Sequence, residues 1–211
     1  MTGSSYRFYL AGDLFNYKAL VGNQLLADAI DQVSNGKFQA ILPQSLEMPS
    51  NRAKDIRNED YAALIQCDLI LAQFDGTELD SGTVAEFMVA KQLDIPALLF
   101  RSDFRHSGDQ EEGGDSWNLM LSHFPRTEGI AVNAMAELHQ AGSITNYVSV
   151  LAEALVERLE RLILTQPLIE QNAEQAALYY QQTLLRLGMA DHFSSAQIET
   201  LVSSKKSIGL L

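Results

Sequence analysis

The chain has 211 residues, 46% hydrophobic and 20% charged, which fits one compact domain or one domain with a modest appendage. Its 27 acidic and 15 basic residues leave a net charge of −12, which repels phosphate backbones and anionic lipid, so neither a nucleic acid nor a membrane is expected as partner. The longest apolar runs, such as Ile95 to Phe100, are too short to span a bilayer, the start lacks a secretion signal, and the single Cys67 cannot form an internal disulfide, so a cytoplasmic protein is expected.

Arg7 to Ala11 is a short β-prone run that stops at Gly12. From Tyr17 to Val33, apolar residues recur at helical spacing (Leu20, Val21, Leu25, Leu26, Ala29, Ile30), and Asn35-Gly36 closes that helix. Phe38 to Leu42 reads as a second strand, ended by Pro43, and Gln44 to Ala53 as a loop. Asp55 to Gln66 is predicted helical, with Ile56, Tyr61, Leu64 and Ile65 inward. Asp68 to Phe74 is almost continuously apolar, as a parallel strand covered on both faces should be. Thr83 to Gln92 follows as a helix and Ile95 to Phe100 as a fourth strand. Arg101 to Ser116 is rich in glycine, acid and amide, so it cannot pack a core and reads as a mobile lid. Amphipathic order resumes at Trp117.

From Thr145 the pattern is purely helical. One helix runs from Tyr147 to Leu164. A second is opened by Pro167 and ended by Gly188, and a third is announced by the capping box Ser194 to Gln197. The alternation of strand and helix predicts an α/β fold with a doubly wound parallel sheet over residues 1–143, followed by a helical C-terminal extension over 144–211. In such sheets ligands sit beyond the carboxyl ends of the strands.

The densest chemistry lies there, in the run Asp75-Gly76-Thr77-Glu78-Leu79-Asp80-Ser81-Gly82-Thr83-Val84-Ala85-Glu86. Glu86 is placed in the first turn of a helix, where the dipole would keep it ionised and fit to attack an electron-poor carbon. Another reading stands beside this one. Thr83-x-x-Glu86 is also a capping box, in which the glutamate merely accepts from a backbone amide. Asp75 and Asp80 can likewise be turn residues bonded to their own backbone.

The first loop, Ala11-Gly12-Asp13-Leu14-Phe15, has one glycine and neither common phosphate-binding pattern, and Asp13 opposes a pyrophosphate, so no nucleotide cofactor is expected. Tyr9, Phe15, Tyr17 and Phe74 offer aromatic surface for a planar ring, although each taken alone can be core. The four histidines lack ligand spacing, and no metal is expected.

Together these residues resemble a known family, the nucleoside 2-deoxyribosyltransferases. Tyr9-Leu10-Ala11-Gly12 is similar to the family's first strand and loop. Asp80-Ser81-Gly82-Thr83-Val84-Ala85-Glu86 is similar to its Asp-x-Gly-[Ser/Thr]-x-x-Glu signature. Asn118-Leu119-Met120 matches its Asn-Leu-Met, and Asp60 falls at the family's spacing. The likeness spans roughly residues 6 to 135.

The resemblance implies that Glu86 is the nucleophile attacking the anomeric carbon and that Asp80 holds the sugar's 5′-hydroxyl. It implies that Asp60 bonds the base and gives it a proton as it leaves. Tyr9 would position the nucleophile, Gln44 would contact the base, and Gly12 and Phe15 would lie in the substrate loop. Asn118 would reach the site of a neighbouring subunit, implying a homo-oligomer with shared sites. The implied substrates are 2′-deoxynucleosides and free nucleobases, exchanged without a cofactor through a covalent, retaining, ping-pong route with slow hydrolysis beside it. Two alternatives remain open: an N-glycosidase of deoxynucleosides or their 5′-monophosphates, and a non-catalytic nucleoside-binding module. The segment 144–211 departs from the shorter family members.

Overall fold

The computed structural model describes residues 5–47, 49–50, 52–105, 114–169 and 172–211. Five parallel strands, β1 (Tyr6–Ala11), β2 (Phe38–Ile41), β3 (Leu69–Gln73), β4 (Ala97–Arg101) and β5 (Thr127–Ala131), form one sheet in the order β2-β1-β3-β4-β5. Strand order reverses between β1 and β3, so the first connection leaves one way and the rest the other. That is doubly wound topology, as the alternation of elements predicts.

Side chains alternate between the two faces. Tyr9, Ala11, Ile70, Ala72 and Leu99 face one cluster, which lies under α2 (Ala53–Gln66) and α3 (Ser81–Gln92). Phe8, Leu10, Leu71, Leu98 and Phe100 face the other, under α1 (Tyr17–Val33) and α5 (Ile144–Leu162). Two further helices, α6 (Ala173–Arg186) and α7 (Ser195–Ser207), pack Tyr180, Leu184 and Val202 into the first cluster.

Several sequence expectations need correction. The strand β5 and the helix α4 (Ala134–Ala141) were not anticipated, because only Ile130 of β5 is buried and no residue of α4 is. Gly129 of β5 is required by packing, since a Cβ there would lie 2.5 Å from the ring of Trp117. Leu20, Val21, Leu25 and Ile56 are exposed rather than inward; α1 buries Asn23, Leu26, Ala27 and Ile30 instead. Pro167 does not open α6, which is capped by Asn172 accepting from the amide of Gln175. The capping box of Ser194 and Gln197 is present at α7. The central part of the expected lid, residues 106–113, lies outside the described residues. Its first residue, Arg101, belongs to β4 and is buried.

Candidate active site

The site grows from β1. Period-two alternation turns Tyr9 toward α2 and α3, fully buried, and its phenol donates to Oε1 of Glu86 at 2.8 Å. Burial and the neighbouring Glu86 hold the phenol far above its usual pKa, so it remains a donor. Glu86 stands in the second turn of α3, because the helix begins at Ser81, two residues earlier than the Thr83 start expected from sequence.

That earlier start settles the capping question. The N-cap is Asp80, whose Oδ2 accepts from the Thr83 amide at 2.7 Å and the Thr83 hydroxyl at 2.9 Å. Glu86 therefore caps nothing and is turned to Tyr9. Its ionisation is also not held by the helix dipole, which fades beyond the first turn. Burial pushes the carboxyl up to about 7, Tyr9's hydrogen bond opposes this, and Asp60 and Asp80 add to it. The group is thus poised between its two forms near neutral pH, which suits a catalytic carboxyl better than the permanently ionised one expected from sequence.

Asp60, on α2, is half-buried, and burial followed by the adjacent Glu59 raises its pKa. It acts electrostatically on both Glu86 and Tyr9. Tyr9, Asp60, Asp80 and Glu86 therefore meet, contributed by one strand and two helices. Among the described residues none of the three carboxyls pairs with a cation. Phe74, Phe87, Trp117 and Phe124 form an edge-to-face aromatic chain, with centroids 5.4–6.0 Å apart, in the core cluster that also holds Tyr9.

The other expected residues sit apart from this quartet, making no hydrogen bond to it. Gln44 donates its Nε2 to the Leu20 carbonyl at 3.0 Å, while its Oε1 is buried without a partner among the described residues. Gly12 leaves room for Gln73, whose Cβ would lie 3.3 Å from a Cβ at position 12. Phe15 is 79% exposed on a turn fixed by its amide on Asp13. Asn118 is exposed and caps a 3₁₀ turn through the Met120 amide at 2.9 Å, beside the exposed Leu119 and Met120.

Two residues that hold the site's loops were missed. The buried Arg101 guanidinium donates to the carbonyls of Phe74, Gly76, Asp103 and Arg105. Asp75, for which a turn role was one of the open readings, accepts from the amides of Ser102 and Asp103 and the Ser102 hydroxyl. Together they tie the loop after β3 to the loop after β4. The signal for Arg101 was an arginine continuing an apolar strand run, Leu98-Leu99-Phe100-Arg101.

A sequence model described as nucleoside 2-deoxyribosyltransferase matches residues 8–135. Among curated proteins, none matches the chain. Solved structures of similar fold include a 2-desoxiribosyltransferase from Leishmania mexicana, 22% identical, covering 70% of this chain and 97% of that one with a TM-score of 0.47. A conserved protein from Enterococcus faecalis V583 is 20% identical, covering 75% and 96% with a TM-score of 0.45. A 2-deoxyribosyltransferase from Bacillus psychrosaccharolyticus is 18% identical, covering 55% and 80% with a TM-score of 0.42. With the family pattern running over more than half its length, from β1 through β5, this chain belongs to the nucleoside 2-deoxyribosyltransferase family.

Proposed function

We propose that the protein transfers 2-deoxyribose from one nucleobase to another through a covalent intermediate on Glu86. The single observation that carries this reading is the Tyr9–Glu86 hydrogen bond of 2.8 Å. It aims a half-buried carboxylate that is neither a helix cap nor an ion-pair partner. The Glu86 carboxylate attacks the anomeric C1′, and the glycosidic C–N bond breaks with its electron pair leaving on the base. Asp60, whose pKa burial and the adjacent Glu59 raise, gives a proton to the departing ring. A second base then gives its ring proton to the Asp60 carboxylate, attacks C1′ from the opposite side and displaces Glu86 as carboxylate, so the sugar leaves with its original configuration.

In this reading Asp80 holds the 5′-hydroxyl. Its Oδ2 is occupied by Thr83, and Oδ1 remains to accept. Gln44 contacts the base, supported by the buried Oε1 that has no partner among the described residues. Phe15 and Gly12 shape the substrate loop. Asn118 enters the site of a neighbouring subunit, and its exposed position beside Leu119 and Met120 suits such a contact.

Glu86→Gln tests the core of this. Glutamine still accepts from Tyr9 but cannot form the ester-like intermediate, so base exchange between a 2′-deoxynucleoside and a different free base should fall at least about 10³-fold. Exchange within tenfold of the wild type would refute the covalent route. Consumption of the donor that free base does not accelerate would assign the site to hydrolysis instead.

A further inference from the structure

The carboxyl end of the sheet holds a hollow on the face opposite Tyr9. A crevice of about 460 Å³ separates α1 from α5 above the ends of β3 and β4. Its floor is apolar, formed by Leu26, Phe100 and Leu151, and its mouth is acidic, formed by Asp13, Asp75 and Asp80. One ammonium, Lys18, stands on the rim against those three carboxylates. A volume of this size matches a small-molecule site, with an apolar bed and a few placed polar groups.

Asp80 belongs both to the crevice and to the carboxyl group around Glu86. It lines the crevice, and it is close enough to Glu86 to act on its charge. A sugar with C1′ at Glu86 and C5′ at Asp80 therefore points whatever C5′ carries into the crevice. We propose that the crevice binds the C5′ substituent of the nucleoside and takes an uncharged or positively charged alkyl or aryl group, not a phosphate. This rests on the transferase reading, through the place it gives Asp80.

The charges decide the class. Asp75 spends both oxygens on the loop after β4, and Asp13 spends both on Phe15 and Asn16. Neither needs a ligand's hydrogen bond, so both act on it as fixed negative charge. A phosphate meets repulsion from three sides and one rim lysine in compensation. An amine at C5′ keeps a donor for the free Oδ1 of Asp80 and is attracted by the other two. Its alkyl or aryl part then covers Leu26, Phe100 and Leu151.

Gly22 supplies the test. It lines the crevice from α1, and a Cβ there meets no atom within 4 Å. Gly22→Phe therefore fills the space without moving the helix. Donors are 2′-deoxyadenosine and 2′-deoxycytidine, their 5′-benzylamino-5′-deoxy analogues and their 5′-monophosphates. The benzylamino donors should retain kcat/KM within about tenfold of the plain nucleosides, and the monophosphates should fall at least about 100-fold below them. Gly22→Phe should cut the benzylamino donors about tenfold or more while leaving the plain ones within twofold. Equal loss for benzylamino and phosphate donors, or an equal effect of Gly22→Phe on plain and substituted donors, overturns the assignment. If no plain nucleoside is exchanged, the transferase reading falls on its own. The crevice is then judged by calorimetric binding of the benzylamino compounds: binding that Gly22→Phe abolishes sustains it, and no binding removes it.

Discussion

Two groups of charge, the paired set at the amino end of the sheet and the carboxyl trio at its other end, are handled in opposite ways. At the amino end, Arg126 and Asp94, 7% and 4% exposed, pair at 2.8 Å. Arg126 also donates to the carbonyls of Asp94 and Leu210, and Asp94 accepts the Leu168 amide at 2.6 Å. Lys91 donates to the carbonyls of Ile95 and Arg126, and the buried Lys205 of α7 donates to the carbonyl of Cys67 with Asp68 4.0 Å away. Every cation there has carbonyl acceptors or a carboxylate. At the carboxyl end, Glu86 accepts from the Tyr9 phenol and feels the charges of Asp60 and Asp80, and among the described residues none of these three carboxyls forms an ion pair. Paired charge fixes the fold. Unanswered like charge raises pKa values and leaves groups ready for chemistry, at some expense in stability.

The sharpest way to break that contrast is to neutralise one carboxylate at each end. Asp94→Asn leaves Arg126 buried without its counter-charge, which should cost about 3–5 kcal/mol and lower the melting temperature strongly. Glu86→Gln should do the reverse. A carboxyl raised from 4.5 to about 7 on folding takes up protons in that window, so its contribution to stability declines as pH rises from 4.5 through about 7. Removing the titration should leave the variant as stable as the wild type at pH 8, or slightly more so. Thermal melts of the two variants at pH 8 check both. A large loss in Glu86→Gln would make that residue structural and erase the contrast.

The lysines sharpen it next. Burial pushes both Lys91 and Lys205 down to about 8 from 10.5. The unfolded chain then binds more protons between pH 8 and 10.5, so stability should rise with pH across the lower part of that window, by on the order of 1–2 kcal/mol per lysine. Denaturant midpoints at pH 7 and pH 9.5 measure the gain, and Lys205→Met should remove its share of the slope. A flat response would show that the carbonyls and Asp68 fully compensate these ammonium groups.

Much of this molecule was legible in its sequence, and the limits were physical. The first four strands and α1 to α3 announced themselves because period-two and period-3.6 patterns survive wherever an element is buried on a defined face. β5 and α4 sit at the sheet edge and bury too little to leave a pattern. Asp80 and Glu86 stood out in one dense polar run and Asp60 through the family resemblance, yet spacing alone could not separate a cap from a nucleophile. Whether Glu86 caps depended on the helix starting at Ser81, before the position the capping-box pattern suggests. Lys205 reads as an ordinary solvent-facing residue of an amphipathic helix, and its burial depends on a contact 138 positions away. Asp94 and Arg126 pair across 32 positions, likewise invisible to local pattern.

At the carboxyl end the smaller lever is Tyr9. Its hydrogen bond lowers the Glu86 pKa against the upward pull of burial. Tyr9→Phe keeps the ring in the core and removes only that bond, so the limb of the pH–activity profile that rises as Glu86 ionises, near pH 7, should move upward. A hydrogen bond worth about 1 kcal/mol corresponds to roughly 0.7 pH unit. Activity above that limb should recover most of its value. A limb that falls at higher pH belongs to another group and should stay within a few tenths of a unit. Movement of both limbs together would mean that Tyr9 acts on the site's general packing and not on Glu86.

The finest comparison lies within the extension itself. Neighbouring tyrosines of α6 donate to neighbouring carbonyls at the end of α3, Tyr180 to Leu93 at 2.9 Å and Tyr179 to Gln92 at 2.7 Å. Tyr180 is fully buried, whereas Tyr179 is 37% exposed. With Tyr180→Phe the Leu93 carbonyl loses its tyrosine donor where water cannot replace it, which should cost about 1–2 kcal/mol. With Tyr179→Phe water takes over at Gln92, and the loss should stay below about 0.5 kcal/mol. Because α3 also carries Glu86, the same pair of variants asks whether the helix end transmits strain to the site. Base exchange with Tyr180→Phe should remain within about twofold of the wild type, since the bond lies at the far end of the helix from Glu86. A tenfold fall in kcat at unchanged KM would instead make the amino-end contacts part of how the nucleophile is placed, and the separation of structural from chemical charge would no longer hold.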